Sequence, residues 1–180
     1  MSFRLGLGHI ALDFVATLGA RAAEPVERLP RTTELAAWLQ ASGALRDLPQ
    51  VAVTEVELRE AKNLREAIHS LIVAAIDSRP PSEQDIKLVN ACARRPIGLP
   101  QLTSSLTLKA DTDRAAEGAI AGLARQAIEL ITADDIDRVR RCEGCSLLFL
   151  DRSRPGRRRW CSMDRCGNRS KTARYRAKNT

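Results

Sequence analysis

The chain has 180 residues, 44% of them apolar and 3% aromatic, and a formal net charge of +7. That length buries one good core and leaves room for a small appendage too short to hold itself together unaided. Internal repeats and low-complexity segments are absent from the sequence, and no apolar run reaches the roughly 18 residues that a membrane span requires.

The first twenty residues, MSFRLGLGHIALDFVATLGA, are apolar in part, but His9 and Asp13 interrupt the run and Gly6 and Gly8 loosen it, unlike a signal peptide. From His9 to Leu18, Ile10, Leu12 and Phe14 alternate with Ala11, Asp13 and Val15, which predicts a half-buried strand. Asp13 is expected to be held by an arginine or by backbone amides, with a ligand contact as the other reading, and His9 to be structural. Thr32 or Thr33 is expected to cap a short helix through Leu39, closed by Ser42 and Gly43. Val56, Leu64, Ile68, Leu71, Ile72 and Ala75 fall at helical spacing and predict a long helix over residues 54–78, stopped by Arg79, Pro80 and Pro81. The next helix starts near Ser82, with Glu83 and Asp85 in its first turn, Arg94 and Arg95 in its last, and Pro96 beyond them. Both ends suit the helix dipole. Within it Cys92, among Val89, Ala93 and Ile97, is expected to be a buried inert thiol. The run QLTSSLTLKA, residues 101–110, alternates as a strand, and residues 113–132 make a third long helix lined by Ala116, Ile120, Leu123, Ile128 and Ile131. These elements predict an α+β protein, with a mainly helical body and a small β-sheet in residues 1–136.

The remaining segment, residues 137–180, differs in chemistry. Residues 1–137 hold 15 basic and 19 acidic side chains, a balance of −4, while residues 138–180 hold 14 basic side chains against Glu143, Asp151 and Asp164, a balance of +11. The same segment holds four of the five cysteines. Cys142 and Cys145 form CxxC, fifteen residues separate Cys145 from Cys161, and four separate Cys161 from Cys166. In a cytoplasmic chain, which is the expectation here, thiols stay reduced and such spacing favours metal over disulfides. The reading is a knuckle at 142–145, a hairpin of residues 147–150 and 158–161, and a helix capped by Asp164 whose first turn supplies the last ligand. That order is treble-clef-like. Four thiolates make a closed site for one structural Zn²⁺ with no position left for water. Treble clefs that act as nucleases use a histidine, and the only histidines, His9 and His69, lie in the body. No spacing of histidine, cysteine and carboxylate in the body suggests an active site either.

On a helical wheel, Cys166, Ser170, Ala173 and Ala177 form a small-residue stripe facing the metal. Arg165, Arg169 and Arg176 flank it on one side, Lys171, Arg174 and Lys178 on the other, and Asn168, Thr172 and Tyr175 form the outward ridge. Cationic shoulders and a polar ridge suit a helix in a groove of duplex DNA, with shoulders on phosphates and ridge on base edges. Arg154, Arg157, Arg158 and Arg159 at the hairpin tip extend the basic surface. Arginine outnumbers lysine twelve to two in the segment, as suits bidentate phosphate or guanine contacts. The other reading of such a finger is an adaptor for an acidic protein partner.

The stretch WCSMDRCGNRSKTARYRAK, with CEGCSLLFLDRSRPGRRR before it, resembles the CGNR zinc-finger family, whose motif here is Cys166, Gly167, Asn168 and Arg169. In that family the finger follows an ABATE domain with an LDFVNT signature and a helix containing LAxWL. Residues 12–17 read LDFVAT, with Ala16 in place of the usual asparagine, and residues 35–39 read LAAWL. The resemblance implies a bacterial stress-induced transcription regulator with an α+β body, zinc ligands at Cys142, Cys145, Cys161 and Cys166, and a DNA-binding finger. It implies that Gly167 lets the helix approach the hairpin, and that Asn168 either reaches a base edge or ties down the knuckle. A small-molecule effector at the N-terminal domain and a homodimer on DNA complete the expectations.

Overall fold

The computed structural model describes residues 2–21, 23–45, 51–97, 101–106, 108–109 and 114–178, with the backbone alone at 101, 108–109, 173–175 and 177–178. The expected first strand is a helix, α1, Ile10–Val15. His9 caps it, its Nδ1 accepting the Ala11 amide at 3.2 Å. Alternation misleads here because the segment has no wet face: Ala11, Leu12, Phe14 and Val15 are all buried. Asp13, half-buried, is held by backbone instead, accepting the Gly6 and Leu7 amides at 3.1 and 2.8 Å. A period of two identifies a strand only when one side of it meets water.

Strands β1, Leu18–Gly19, and β2, Val26–Glu27, pair antiparallel. Helix α2, Thr32–Ala41, begins after Arg31, which pairs with Glu34, so neither Thr32 nor Thr33 is the cap. Helix α3, Glu55–Ile76, opens in a capping box: Thr54 Oγ1 accepts the Glu57 amide while the Glu57 carboxylate accepts the Thr54 amide. It buries Leu58, Leu64, Ile68, Leu71 and Ile72, whereas Val56, expected on that stripe, is 54% exposed. Helix α4, Glu83–Ala93, is capped by Ser82 and carries Cys92 into the core, where burial raises its thiol pKa. The expected strand over 101–110 is a hairpin, β3, Gln101–Leu102, with β4, Leu108–Lys109. The chain turns at Thr103–Leu106, where the Leu106 amide bonds the Thr103 carbonyl and Leu106 takes a positive φ. Residues 107 and 110 lie outside the described ones. Threonine and serine here act as turn formers, not strand formers.

Helix α5, Ala115–Thr132, buries a run of small residues, among them Ala116, Gly118, Ala121, Ala124 and Ala127. Its expected first residue, Asp113, lies outside the described ones. Helices α3, α4 and α5 pack on one another, and α1 lies against α3 and α5. The rings of Phe14 and Trp38, both fully buried, stand 5.2 Å apart. The buried Arg65 of α3 is satisfied by both oxygens of Glu27 at 2.7 and 2.8 Å, by Glu66 at 2.8 Å and by Thr17 Oγ1 at 3.2 Å. A buried guanidinium needs such pairing.

A 3-10 turn, Ile136–Arg138, leads into β5, Val139–Arg141, which pairs antiparallel with β6, Leu148–Leu150. A wide π turn, Met163–Gly167, then opens into α6, Asn168–Lys178. Val139, Leu147, Leu148, Phe149 and Leu150 belong to the same core as the helices. Polar bonds add to this seam: the Leu150 amide donates to the Leu7 carbonyl at 2.8 Å and Arg152 to the Gly8 carbonyl at 2.9 Å. Gly8 has φ +97°, and a Cβ on it would stand 2.9 Å from Leu150 Cβ, so only glycine fits this close approach. Arg141 forms two bonds of 2.8 Å to the Asp77 carboxylate at the end of α3.

Candidate metal centre and cationic surface

The knuckle Cys142–Cys145 is the turn of the β5–β6 hairpin, with the Cys142 amide on the Leu147 carbonyl at 2.8 Å and the Ser146 amide on the Cys142 carbonyl at 2.8 Å. The expected pairing of 147–150 with 158–161 is therefore corrected: β6 pairs with β5, before the knuckle, and 158–161 forms no strand. The physical reason is that both edges of β6 are taken, one by β5 and the other, at Leu150, by the body's Leu7. Residues 151–161 instead fold on side chains. Asp151, fully buried, accepts the Ser153 and Arg158 amides at 2.9 and 2.8 Å. Burial opposes its ionisation, but the hydrogen bonds from Ser153 and Arg158 outweigh burial and hold its pKa to about 2. Arg138 donates to the carbonyls of Asp151 and Ser153, and Arg158 to those of Trp160 and Cys161.

This loop returns Cys161 to the knuckle, and the π turn brings Cys166. The turn follows Ser162, not Asp164, as its cap, and no side chain closes it. The ligand atoms of Cys142, Cys145, Cys161 and Cys166 all lie within 4.8 Å of one another. Cys145 Sγ and Cys161 Sγ are 3.7 Å apart, and Cys161 Sγ and Cys166 Sγ 3.8 Å. A tetrahedron with Zn–S bonds of about 2.3 Å has edges of about 3.8 Å, whereas a disulfide needs about 2 Å. The four sulfurs fit one Zn²⁺. Burial and the neighbouring thiols push Cys161 and Cys166 up, the latter to about 11, and a cation shared by the four sulfurs would offset that cost. Burial also opposes ionisation of Cys142, yet the amides of Cys161 and Gly144 donate to its sulfur and bring it to about 7. Such N–H···S bonds orient ligands and support the charge of a thiolate centre. Gly144 leaves room for this, since a Cβ there would stand 3.1 Å from Cys166 Cβ. Gly167 faces the Met163 side chain and the Trp160 ring, not the hairpin strands.

The family model ABATE, described as "Putative stress-induced transcription regulator", matches residues 8–134, and that of the CGNR zinc finger matches residues 138–179. The chain belongs to the ABATE family. No curated relative matches it. Both matched families are regulatory types and neither is an enzyme family. Among the described residues no helix is long and apolar enough to cross a membrane.

The arginines of the CGNR finger fall into two groups. Arg158 lies 5.1 Å over the Phe149 ring, and Arg159 lies 5.3 Å over the Trp160 ring while pairing with Glu143 at 2.6 Å. These two of the expected nucleic-acid contacts are engaged within the finger. Arg154, Arg157, Arg165, Arg169 and Lys171 are exposed and make no hydrogen bond or ion pair among the described residues. Arg176 and Asn168 are exposed, and Thr172, also exposed, donates its hydroxyl to the Asn168 carbonyl at 2.9 Å. The side chains of Arg174, Tyr175 and Lys178, and those of Ala173 and Ala177 on the small-residue stripe, lie outside the described ones. The stripe's other members behave as expected, with Cys166 buried and Ser170 half-buried. Sequence reasoning missed Asp151 and Arg138, which shape the arginine loop. The signal was present in LDRSRPG, an aspartate two residues before a serine and followed by proline and glycine, which is turn chemistry.

Proposed function

We propose that the protein is a transcription regulator that binds duplex DNA through its zinc-ordered finger, residues 137–180, with residues 1–136 as the body that carries it. The observation that supports this best is the set of exposed, unpartnered cations, Arg154, Arg157, Arg165, Arg169 and Lys171, on a module whose zinc site is closed to catalysis. Four thiolates and Zn²⁺ sum to −2, so the finger remains strongly cationic when loaded. In this reading the five cations meet phosphates. Asn168 stands where a ridge residue can reach a base edge, and Arg174, Tyr175, Arg176 and Lys178 continue the same helix. The body orders the finger, and an effector would act through that contact.

The test is fluorescence anisotropy of a random-sequence duplex titrated with zinc-loaded protein over a range of salt, repeated after chelation. Zinc-dependent binding with a log–log salt slope of about −4 to −6 is expected, near 0.9 for each phosphate neutralised. Arg169→Ala should weaken binding and keep the zinc. Absence of binding at low salt would turn the assignment to an acidic protein partner.

A further inference from the structure

A short strap near the start of the chain, residues 6–8, is built into both parts of the molecule. Leu7 is bracketed between them. Its amide donates to Asp13 Oδ1 of α1 at 2.8 Å, its carbonyl accepts the Leu150 amide of β6 at 2.8 Å, and its side chain is buried in the common core. The flanking glycines repeat the pattern: the Gly6 amide donates to Asp13 Oδ2 at 3.1 Å, and the Gly8 carbonyl accepts Arg152 Nη2 at 2.9 Å. One carboxylate of the body thus holds the strap by its amides, and the finger holds it by its carbonyls.

The finger end of the strap meets the metal centre's scaffold. The turn of the β5–β6 hairpin is the Cys142–Cys145 knuckle, and Leu150 pairs with Val139 at the hairpin's open end. The next residue, Asp151, donates its amide to the Arg138 carbonyl and carries the carboxylate that folds the loop leading to Cys161. Leu150 therefore stands between the segments that deliver Cys142, Cys145 and Cys161. A hairpin of two strands is marginal in water by itself, so a bond on its other edge adds to what keeps it formed. Asp13 depends on the strap in turn. Burial pushes its pKa up, and the Leu7 and Gly6 amides oppose that shift, so the carboxylate would be costly without them.

We infer that Asp13 is a positioning residue for the metal centre: through the strap it holds β6 in place and so sets how long the finger retains its zinc. A change in α1, such as an effector on the body would cause, reaches the finger by this route. The inference rests on the zinc-loaded finger and not on DNA binding, so the two readings fail separately.

The experiment uses the full-length zinc-loaded protein and reads the exchange of the Leu150 amide hydrogen by NMR and the rate of zinc transfer to a colorimetric chelator. In Asp13→Asn the new side-chain amide sets a donor against one of the two strap amides. Exchange at Leu150 should rise about tenfold and zinc transfer about three- to tenfold, from the loss of bonds to a charged acceptor. Arg152→Ala frees the strap from the finger side and should move both readouts in the same direction. The double variant should transfer zinc no faster than the faster single one, because both substitutions release the same element. Thr54→Ala removes the cap of α3, away from the strap, and should lower the melting temperature while leaving both readouts unchanged. Wild-type exchange at Leu150 in a folded Asp13→Asn protein overturns the proposal. So do effects of Asp13→Asn and Arg152→Ala that simply add, and so does an equal rise in Thr54→Ala, which would make Asp13 a contributor to general stability only. If Asp13→Asn fails to fold, Arg152→Ala decides alone, and unchanged zinc transfer there overturns the proposal.

Discussion

The body and the finger satisfy their arginines in different ways. In the body the partners are mostly carboxylates: Arg65 with Glu27 and Glu66, Arg95 with Glu60, Arg114 with Glu117, Arg31 with Glu34, while Arg28 and Arg125 bond main-chain carbonyls. In the finger the partners are mostly main-chain carbonyls, as for Arg138, Arg140, Arg152 and Arg158. A carboxylate satisfies the N–H donors and cancels the charge. A carbonyl does only the first. The finger therefore uses arginines to hold its loop and still presents their positive field outward, while the body's acids leave little net charge to present. The same side chain serves as internal ion pair in one region and as both scaffold and ligand surface in the other.

Metal removal breaks this comparison most completely. Chelation, or Cys161→Ser, is expected to release the zinc and unfold residues 151–178, since structural zinc supplies about 10–16 kcal/mol of folding free energy in small fingers. Because Val139, Phe149 and Leu150 lie in the common core, the melting temperature of the body should fall as well. Zinc release measured by a colorimetric chelator, together with thermal melts followed by circular dichroism, checks both parts. A body that melts unchanged would show that the finger contributes nothing to the core it touches.

Asp151→Ala comes next. It leaves the Ser153 and Arg158 amides without their acceptor and should cost about 2–3 kcal/mol, the range for bonds to a charged group, with most of the loss in the arginine loop. Its pH dependence has a definite sign. The folded pKa is depressed to about 2, so the carboxylate's contribution is present above the unfolded value of about 3.9 and is lost as pH falls toward 2. Urea melts of the wild type and of Asp151→Asn between about pH 5 and 3, at matched zinc occupancy, should converge as pH falls. Parallel curves would remove Asp151 as the organiser of the loop.

The parts of this molecule that were legible in its sequence are those whose physics is local or chemical. Helices α3 and α5 follow from periodicity, and α4 from the residues at its start, where Ser82 and Asp85 act within one turn. The zinc cluster follows from thiol spacing, which few other structures reward. Helix α1 was not legible, because its burial on every side erases the periodic signal and Asp13 mimics the polar face of a strand. The partner of β6 was hidden for another reason. Leu7 occupies its free edge from the opposite end of the chain, and no local pattern announces such a contact.

The smallest expected effect concerns a finger arginine paired with a body acid, Arg141 with Asp77. Its two bonds of 2.8 Å are well formed, but the side chains are 46% and 29% exposed, and surface pairs contribute little. Asp77→Asn should lower the melting temperature by about 2 °C or less. It also removes a negative charge at the seam and leaves Arg141 without its counter-charge. If the seam faces DNA, this variant should bind a duplex more tightly than the wild type at low salt, with the difference vanishing at about 0.5 M, where screening is nearly complete. Stability and affinity would then move in opposite directions, which neither metal loss nor a damaged loop produces. Equal binding would place Arg141 off the DNA face and confine the interface to the side of the finger that carries Arg165.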